Sequence, residues 1–242
     1  MVLGGLQPGY LPWLGFFEQA FKADIFLICD EFQYDKKSWR NRNRIKSNNG
    51  ISYLTVPVIN KGTTASRINA VRIDNGRDWR KKHWASLRNF YGNTQHFGEY
   101  APFMEEVYGR DWEYLADLDE HLIRYFISAL GIKTDLAVQS NLNLEEKFRK
   151  AHSGGDATDR LVFLCKEFGA DALYEGASGR GYIDEVRLQE AGIKVTYQDY
   201  VHPVYPQLYG GFVPHLSIVD LLFNCGNDSL GILTGGKGGH PE

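Results

Sequence analysis

Apolar and polar positions along this chain fall into short blocks, and their spacing separates strands from helices. Val2–Leu6 is an apolar run broken by Gln7-Pro8-Gly9, which predicts a strand and then a turn. From Pro12 the spacing changes: Trp13, Phe16, Phe17, Ala20 and Phe21 recur at three and four, the period of a helix with proline in its first turn. Residues 24–29 form the next apolar run and predict a second strand. Residues 51–58 are strongly β-forming, and residues 68–73 make a shorter strand candidate. The middle of the chain reads as helix. Trp79, His83, Trp84, Leu87 and Tyr91 share one side of a segment running from Asp78 to Gly92. A second helix is predicted over about 100–108. A third is predicted over 113–130, with Leu115, Leu118, Leu122, Tyr125, Phe126 and Ala129 as its apolar stripe.

Residues 141–156 read as loop. Thr158 then caps a helix carrying Leu161, Leu164, Cys165 and Phe168, stopped by Gly169. Strands follow at 172–174 and 193–197, and a last helix at 215–223. The opening strand, turn, helix and strand begin a Rossmann-like α/β fold with a mostly parallel sheet. A helical insertion at about 78–131 divides its two halves. No internal repeat occurs, so the expectation is a single α/β domain over residues 1–242 with a flexible tail at 234–242.

Composition narrows the functional classes. With 43% hydrophobic and 24% charged residues among 242, the chain has the balance of a soluble globular protein. A net charge of −3 argues against nucleic-acid binding driven by overall charge. Three cysteines (Cys29, Cys165, Cys225) are widely spaced in apolar surroundings. They show no metal-ligand spacing and no disulfide framework, so no metal site is expected. The start of the chain lacks the basic and apolar regions of a signal peptide, and no run is long enough to span a membrane. A cytoplasmic location is expected.

Candidate chemistry concentrates in three segments. Between residues 30 and 44, Lys36, Lys37, Arg40, Arg42 and Arg44 crowd around Trp39, with Asp30, Glu31 and Asp35 upstream. The run follows a predicted strand, where open α/β sheets bind ligands. It reads as an anion site with Trp39 as a stacking platform; a solvated basic turn is the other reading. Gln7-Pro-Gly-Tyr-Leu-Pro-Trp-Leu-Gly15 lies between the first strand and helix, and there Gln7 and Tyr10 can hydrogen-bond a ligand. Gly176-Ala-Ser-Gly-Arg-Gly-Tyr182 follows another strand and is suited to close backbone approach, with Ser178, Arg180 and Tyr182 able to grip an anion. It matches neither a phosphate-loop nor a dinucleotide fingerprint. Asp30, His83, His215 and Asp220 are the candidates for proton transfer. For His83 a hydrogen-bonded core role competes, and for Asp220 a structural one.

The ordered set of short motifs is similar to the WbqC-like protein family. It comprises Gln7-Pro8, Pro12-Trp13-x-Gly15, Asp24, Asp30-x-x-Gln33, Lys37-Ser-Trp-x-Asn-Arg42 and Thr55-Val-Pro-Val58. It continues through His83-Trp84, Leu130-Gly-Ile, Arg160-Leu161, Ser178-Gly179, Tyr182, Tyr205-x-Gln207, Phe212-x-Pro-x-Leu-Ser, Asp220 and Asn224-x-Gly226. The likeness spans nearly the whole chain; Gly176-Ala-Ser178 is slightly longer than the compact turn of the family. The resemblance implies a cytosolic transferase acting on a nucleotide-linked sugar or related phosphorylated substrate. Its setting would be surface polysaccharide biosynthesis (O-antigen, lipopolysaccharide), with acyl or amino-acyl transfer to an amino sugar as one form. It leaves any cofactor unnamed. The competing readings are a single-stranded nucleic-acid module, which the net charge disfavours, and a scaffold.

These readings combine into one geometric expectation. The segments 7–15, 30–42 and 176–182 should line one cleft at the carboxyl edge of the sheet. Arg42 and Arg180 should face a common cavity walled by Gln7, Asp30 and Tyr182, with His83 nearby if the helical insertion forms a lid.

Overall fold

A computed structural model describes residues 1–59 and 66–235. Its strands are β1 (Val2–Leu6), β2 (Ile25–Ile28), β3 (Arg42–Ser47), β4 (Gly50–Thr55), β5 (Asp135–Val138), β6 (Ala172–Glu175) and β7 (Lys194–Tyr197). Five of them form one parallel sheet in the order β5-β2-β1-β6-β7. The chain runs outward from β1 through β2 to β5 on one side, then returns to start β6 on the other. The order therefore reverses between β1 and β6, the place where a Rossmann-like sheet opens a crevice at its carboxyl edge.

The helices are α1 (Leu14–Phe21), α2 (Trp79–Tyr91), α3 (Phe97–Gly109), α4 (Leu115–Leu130), α5 (Leu144–Ala151), α6 (Ala157–Phe168), α7 (Glu185–Glu190), α8 (Ile218–Cys225) and α9 (Ser229–Leu233). Side chains alternate across a strand, so each strand feeds two cores. Phe26 and Ile28 enter the larger core with residues of α1, α2, α3, α4 and α8. Leu27 and Cys29 point to the opposite face, where they meet Leu3, Leu173 and the helices α5, α6 and α7. Tyr174 faces α1, donating its hydroxyl to Glu18 at 3.0 Å, while Leu173 belongs to the other face. By the same alternation Glu175 lies on the Leu173 side, at the end of β6.

Several expectations change. The basic segment does not stay a loop: from Arg42 onward it becomes β3, paired antiparallel with β4 as a separate two-stranded sheet. Its polar composition conceals a period of two, in which buried Asn43 and Ile45 alternate with half-buried Arg42 and Arg44. The strand expected over 51–58 ends as a ladder at Thr55, leaving Val58 in an isolated bridge to Ile73. Residues 68–73 hold a short helical turn, Ile68–Ala70, rather than a strand. The expected loop at 141–156 contains α5, supported by the Glu145–Arg149 and Glu146–Lys150 pairs one turn apart. Helix α6 is capped by Asp156 in a reciprocal box with Asp159, and Thr158 sits inside it. The last predicted helix begins later, because His215 takes a left-handed backbone (φ 58°) and Ser217 caps α8. Beyond residue 235 the predicted tail lies outside the described residues.

Candidate active site

Strand β1 ends at Leu6, and Gln7-Pro8-Gly9 turns the chain across the carboxyl edge. Arg40 is bound into this turn. Its Nη1 donates to the carbonyl oxygens of Gln7 at 2.7 Å and Pro8 at 2.9 Å, and its own carbonyl accepts from the Tyr10 amide at 2.9 Å. The approach is so close that a Cβ at Gly9 would stand 2.9 Å from the Trp39 carbonyl oxygen. Only glycine fits there. The turn and the basic segment, 33 residues apart between Gln7 and Arg40, thus form one wall, and a cavity opens on each side of it.

The first cavity, about 490 Å³, is lined by Trp13, Phe16, Trp39, Asn43, Arg44 and His215, with Gln7 and Arg40 at the shared wall. Its floor is held by main-chain bonds. Asn43 donates to the carbonyls of Leu11 at 2.6 Å and Tyr10 at 3.3 Å, fixing Leu11 in a left-handed conformation (φ 47°). Arg44 donates through Nη2 to the His215 carbonyl at 2.9 Å, and its own carbonyl accepts from Ser217. The His215 ring stands 5.5 Å from Trp13. Two non-glycine residues in a costly backbone region therefore flank one cavity, the kind of strain that accompanies binding sites. At its mouth Trp39 stacks on Tyr53 at 6.3 Å and 11°, with the guanidinium groups of Arg44 at 5.3 Å and Arg42 at 5.7 Å over the Trp39 ring.

The second cavity, about 420 Å³, opens between the ends of β1 and β6, at the reversal of strand order. Leu27, Leu164 and Leu173 give it an apolar base, and Gly4 and Gly5 bring backbone to its surface. Glu175, Arg160, Cys29, Ser178 and Tyr182 supply its polar atoms, again with Gln7 and Arg40 at the shared wall. Burial pushes the Glu175 carboxyl up to about 6, opposed by the Gly176 amide, which donates to Oε1 at 3.1 Å. Burial likewise pushes the Cys29 thiol up to about 12, with Glu175 and Asp30 adding to the rise and Arg160 and Arg40 opposing it.

The three predicted segments do converge, through Gln7, Arg40, Ser178 and Tyr182. Arg42 and Arg180 do not meet. Arg42 lies over Trp39 and donates to the Lys37 carbonyl at 2.8 Å, and Arg180 lies over the Tyr197 ring at 4.3 Å. Neither lines either cavity. Lys37 is exposed beside Arg42. Tyr10 is fully buried, its hydroxyl bonded to His83 Nδ1 at 2.9 Å and to the Tyr108 hydroxyl. His83 lies in that buried cluster rather than under a lid, and burial pushes it down to about 4, so the ring is neutral. Asp30 accepts from the amide and hydroxyl of Ser140, fixing the turn after β5. Asp220 accepts from Tyr91, Tyr205 and Gln207, each at 2.8 Å, inside the larger core. Of the four proton-transfer candidates, His215 is the one that lines either of these two cavities.

A model of the WbqC-like protein family matches residues 7–232. The chain belongs to the WbqC-like family. The matched span includes both cavities except for Leu6, which lines each of them, and Leu3, Gly4 and Gly5 of the second. This WbqC-like chain is 39% identical over 226 residues to an uncharacterized protein, Rv1507c, of Mycobacterium tuberculosis (strain ATCC 25618 / H37Rv), covering 93% of this chain and 94% of that one. No solved structure matches it. Among the described residues no helix is long and apolar enough to cross a membrane.

Glu175, Arg160 and Asn43 were not among the candidate site residues read from the chain, and Arg44 entered only as one cation of the basic run. Glu175 carried a signal: it stands two residues after apolar Leu173 and directly before the glycine-rich loop. Asn43 and Arg44 could be placed only once their segment was known to be a strand.

Proposed function

We propose that this WbqC-like chain is a cytoplasmic transferase acting on a nucleotide-linked sugar or related phosphorylated substrate in surface polysaccharide biosynthesis. The observation that carries the reading is the pair of cavities sharing Gln7 and Arg40 as a common wall. A transferase must hold two partners side by side, and two chambers meeting at one wall provide that. The first chamber suits the nucleotide-linked partner. Trp39 presents an aromatic face for a base, and Arg44 supplies cationic donors for phosphate oxygens. His215 is the titratable group within reach of that chamber, and Gln7 and Ser178 are candidates for orienting the substrate.

A thermal-shift screen of nucleotide sugars tests this, since a ligand of the folded state stabilises it in proportion to its excess over Kd. Wild type should be stabilised by at least one nucleotide sugar, and Arg44→Ala should lose most of that gain. Absence of any shift across the screen would remove the reading. A second reading rests on one observation of its own: the exposed Trp39–Tyr53 stack flanked by Arg42 and Arg44 has the make-up of a single-strand groove. Retention on single-stranded RNA or DNA with a steep salt dependence would favour it.

A further inference from the structure

Carboxyl groups removed from water are expensive unless something neutralises them or donates to them. The inward-facing carboxyls of this fold largely obey that rule. Asp220 has three side-chain donors, Asp30 has two donors from Ser140, and Glu145 is clamped by Arg149 and Arg160. Glu175 differs. Among the described residues its carboxyl forms no ion pair and accepts one hydrogen bond, from the neighbouring Gly176 amide. It is nonetheless held in place: a Cβ at Gly179 would lie 2.6 Å from its Cγ, so the glycine-rich loop wraps directly against it.

The two arginines that share its cavity are committed elsewhere. Arg160 pairs with Glu145 and lies over Phe148 at 4.5 Å. Arg40 donates to the Gln7 and Pro8 carbonyls. A fixed carboxyl at the strand-order reversal therefore faces an open, mostly apolar chamber and lacks its own cation.

We propose that the second cavity is the acceptor subsite of the transferase and takes a primary amine on a compact body, with the ammonium seated against Glu175. The assignment rests on the transferase reading and adds which chamber holds the nucleophile and which group handles its proton. A chamber of about 420 Å³ is of small-metabolite size. During reaction one N–H bond of the ammonium breaks as an O–H bond forms on a Glu175 carboxylate oxygen. The freed nitrogen pair forms the N–C bond to the group held in the first cavity, and the bond from that group to its nucleoside phosphate breaks with the pair leaving on the phosphate oxygen. The second nitrogen proton passes to solvent. A carboxyl that titrates near neutrality rather than at its ordinary 4.5 is the better proton acceptor. Tyr182 stands at the mouth of the chamber, and Cys29 from β2, Cys165 from α6 and Tyr197 from β7 are the other titratable groups that feel the Glu175 charge. Burial and that charge push the thiols of Cys29 and Cys165 up to about 12, and burial with Glu185, more than Glu175, pushes the Tyr197 hydroxyl up to about 12. These groups keep their protons near neutrality, leaving Glu175 to respond to pH.

The experiment uses D-glucosamine as the amine probe and D-glucose as its twin without the amine, on the full chain. At pH 7 glucosamine at about fivefold its Kd should raise Tm by about 2–4 °C, and glucose at the same concentration by much less. The difference should vanish at pH 5, where Glu175 is protonated, and at pH 7 in Glu175→Gln, which keeps the acceptor for the Gly176 amide. Equal responses to the two sugars in wild type, no response to either, or a glucosamine response unchanged in Glu175→Gln would each overturn the proposal. The parent reading fails separately. Nucleotide-sugar binding together with indifference to glucosamine would remove the acceptor assignment alone. A Glu175-dependent glucosamine response without nucleotide-sugar binding would keep the amine site and remove the transferase reading.

Discussion

Asp220 and Glu175 are both carboxyls that burial pushes above their ordinary range, yet their surroundings are opposite. Asp220 sits in the first turn of α8 and is enclosed by the hydroxyls of Tyr91 and Tyr205 and the amide of Gln207. Lys46 completes the enclosure: its ammonium donates to Gln207 Oε1 at 3.2 Å and to the Gly211 carbonyl at 2.6 Å. Each of these contacts is internal, so the cluster fastens β3, α2 and the segment before α8 to one another. Glu175 has one main-chain donor and an open chamber in front of it. A buried polar group surrounded by its own partners holds a fold together, whereas one that is short of partners and also faces an open chamber is available to a ligand.

The most damaging substitution should therefore be at Asp220. Asp220→Ala orphans three donors at once in the core, and its cost in urea unfolding should be about 3 kcal/mol, with Tyr91→Phe costing about 1 kcal/mol. A loss below about 1 kcal/mol for Asp220→Ala would erase the distinction between the two carboxyls, because unpaired buried donors carry a penalty of that order or more.

Glu175 should behave in the opposite sense. Its folded-state value of about 6 lies above the ordinary 4.5, so the folded chain holds this proton more tightly than the unfolded one. Stability contributed by the group is complete below pH 4.5 and is lost as pH rises through about 6. The loss is on the order of 1–2 kcal/mol, since one pKa unit corresponds to about 1.4 kcal/mol. Glu175→Gln removes the penalty of the charged form. The variant should match wild type near pH 4 and exceed it by roughly that 1–2 kcal/mol at pH 8. Denaturant unfolding of both proteins across that range checks it. A variant less stable than wild type at pH 8 would place Glu175 with Asp220 as a structural carboxyl.

What the amino-acid order revealed follows the same division. The β1-turn-α1-β2 opening was readable because its apolar spacing is strong and local, and the carboxyl-edge position of three loops followed from it. The convergence of Gln7, Arg40, Ser178 and Tyr182 was readable for that reason. The choice among neighbouring arginines was not, since it depends on where a strand begins. Arg42–Ser47 looks too polar for a strand until β4 pairs with it and segment 207–211 covers Lys46. Asp30, His83 and Asp220 had suitable chemistry and suggestive positions, and only packing shows that each is already bonded inside. Saturation of hydrogen bonds is a tertiary property, and no spacing in the chain encodes it.

The finest comparison lies between adjacent arginines on one face of β3. Arg42 and Arg44 both lean over Trp39, at 5.7 and 5.3 Å, and both are half-buried. Arg44 lines the first cavity and is braced by the His215 carbonyl, while Arg42 turns back to the Lys37 carbonyl and lines neither cavity. If a nucleotide enters the first cavity, Arg44→Ala should weaken it about tenfold, the loss of one charge-assisted contact worth about 1.5 kcal/mol. Arg42→Ala should weaken it only about twofold, through a looser Trp39, and Trp39→Ala should resemble Arg44→Ala if the base stacks there. Titration of each variant with the best nucleotide sugar from the screen separates these cases. Equal losses at Arg42 and Arg44 would mean that the outer face of the β3–β4 sheet, rather than the cavity, receives the ligand. That is the geometry expected for a single strand running across Trp39 and Tyr53.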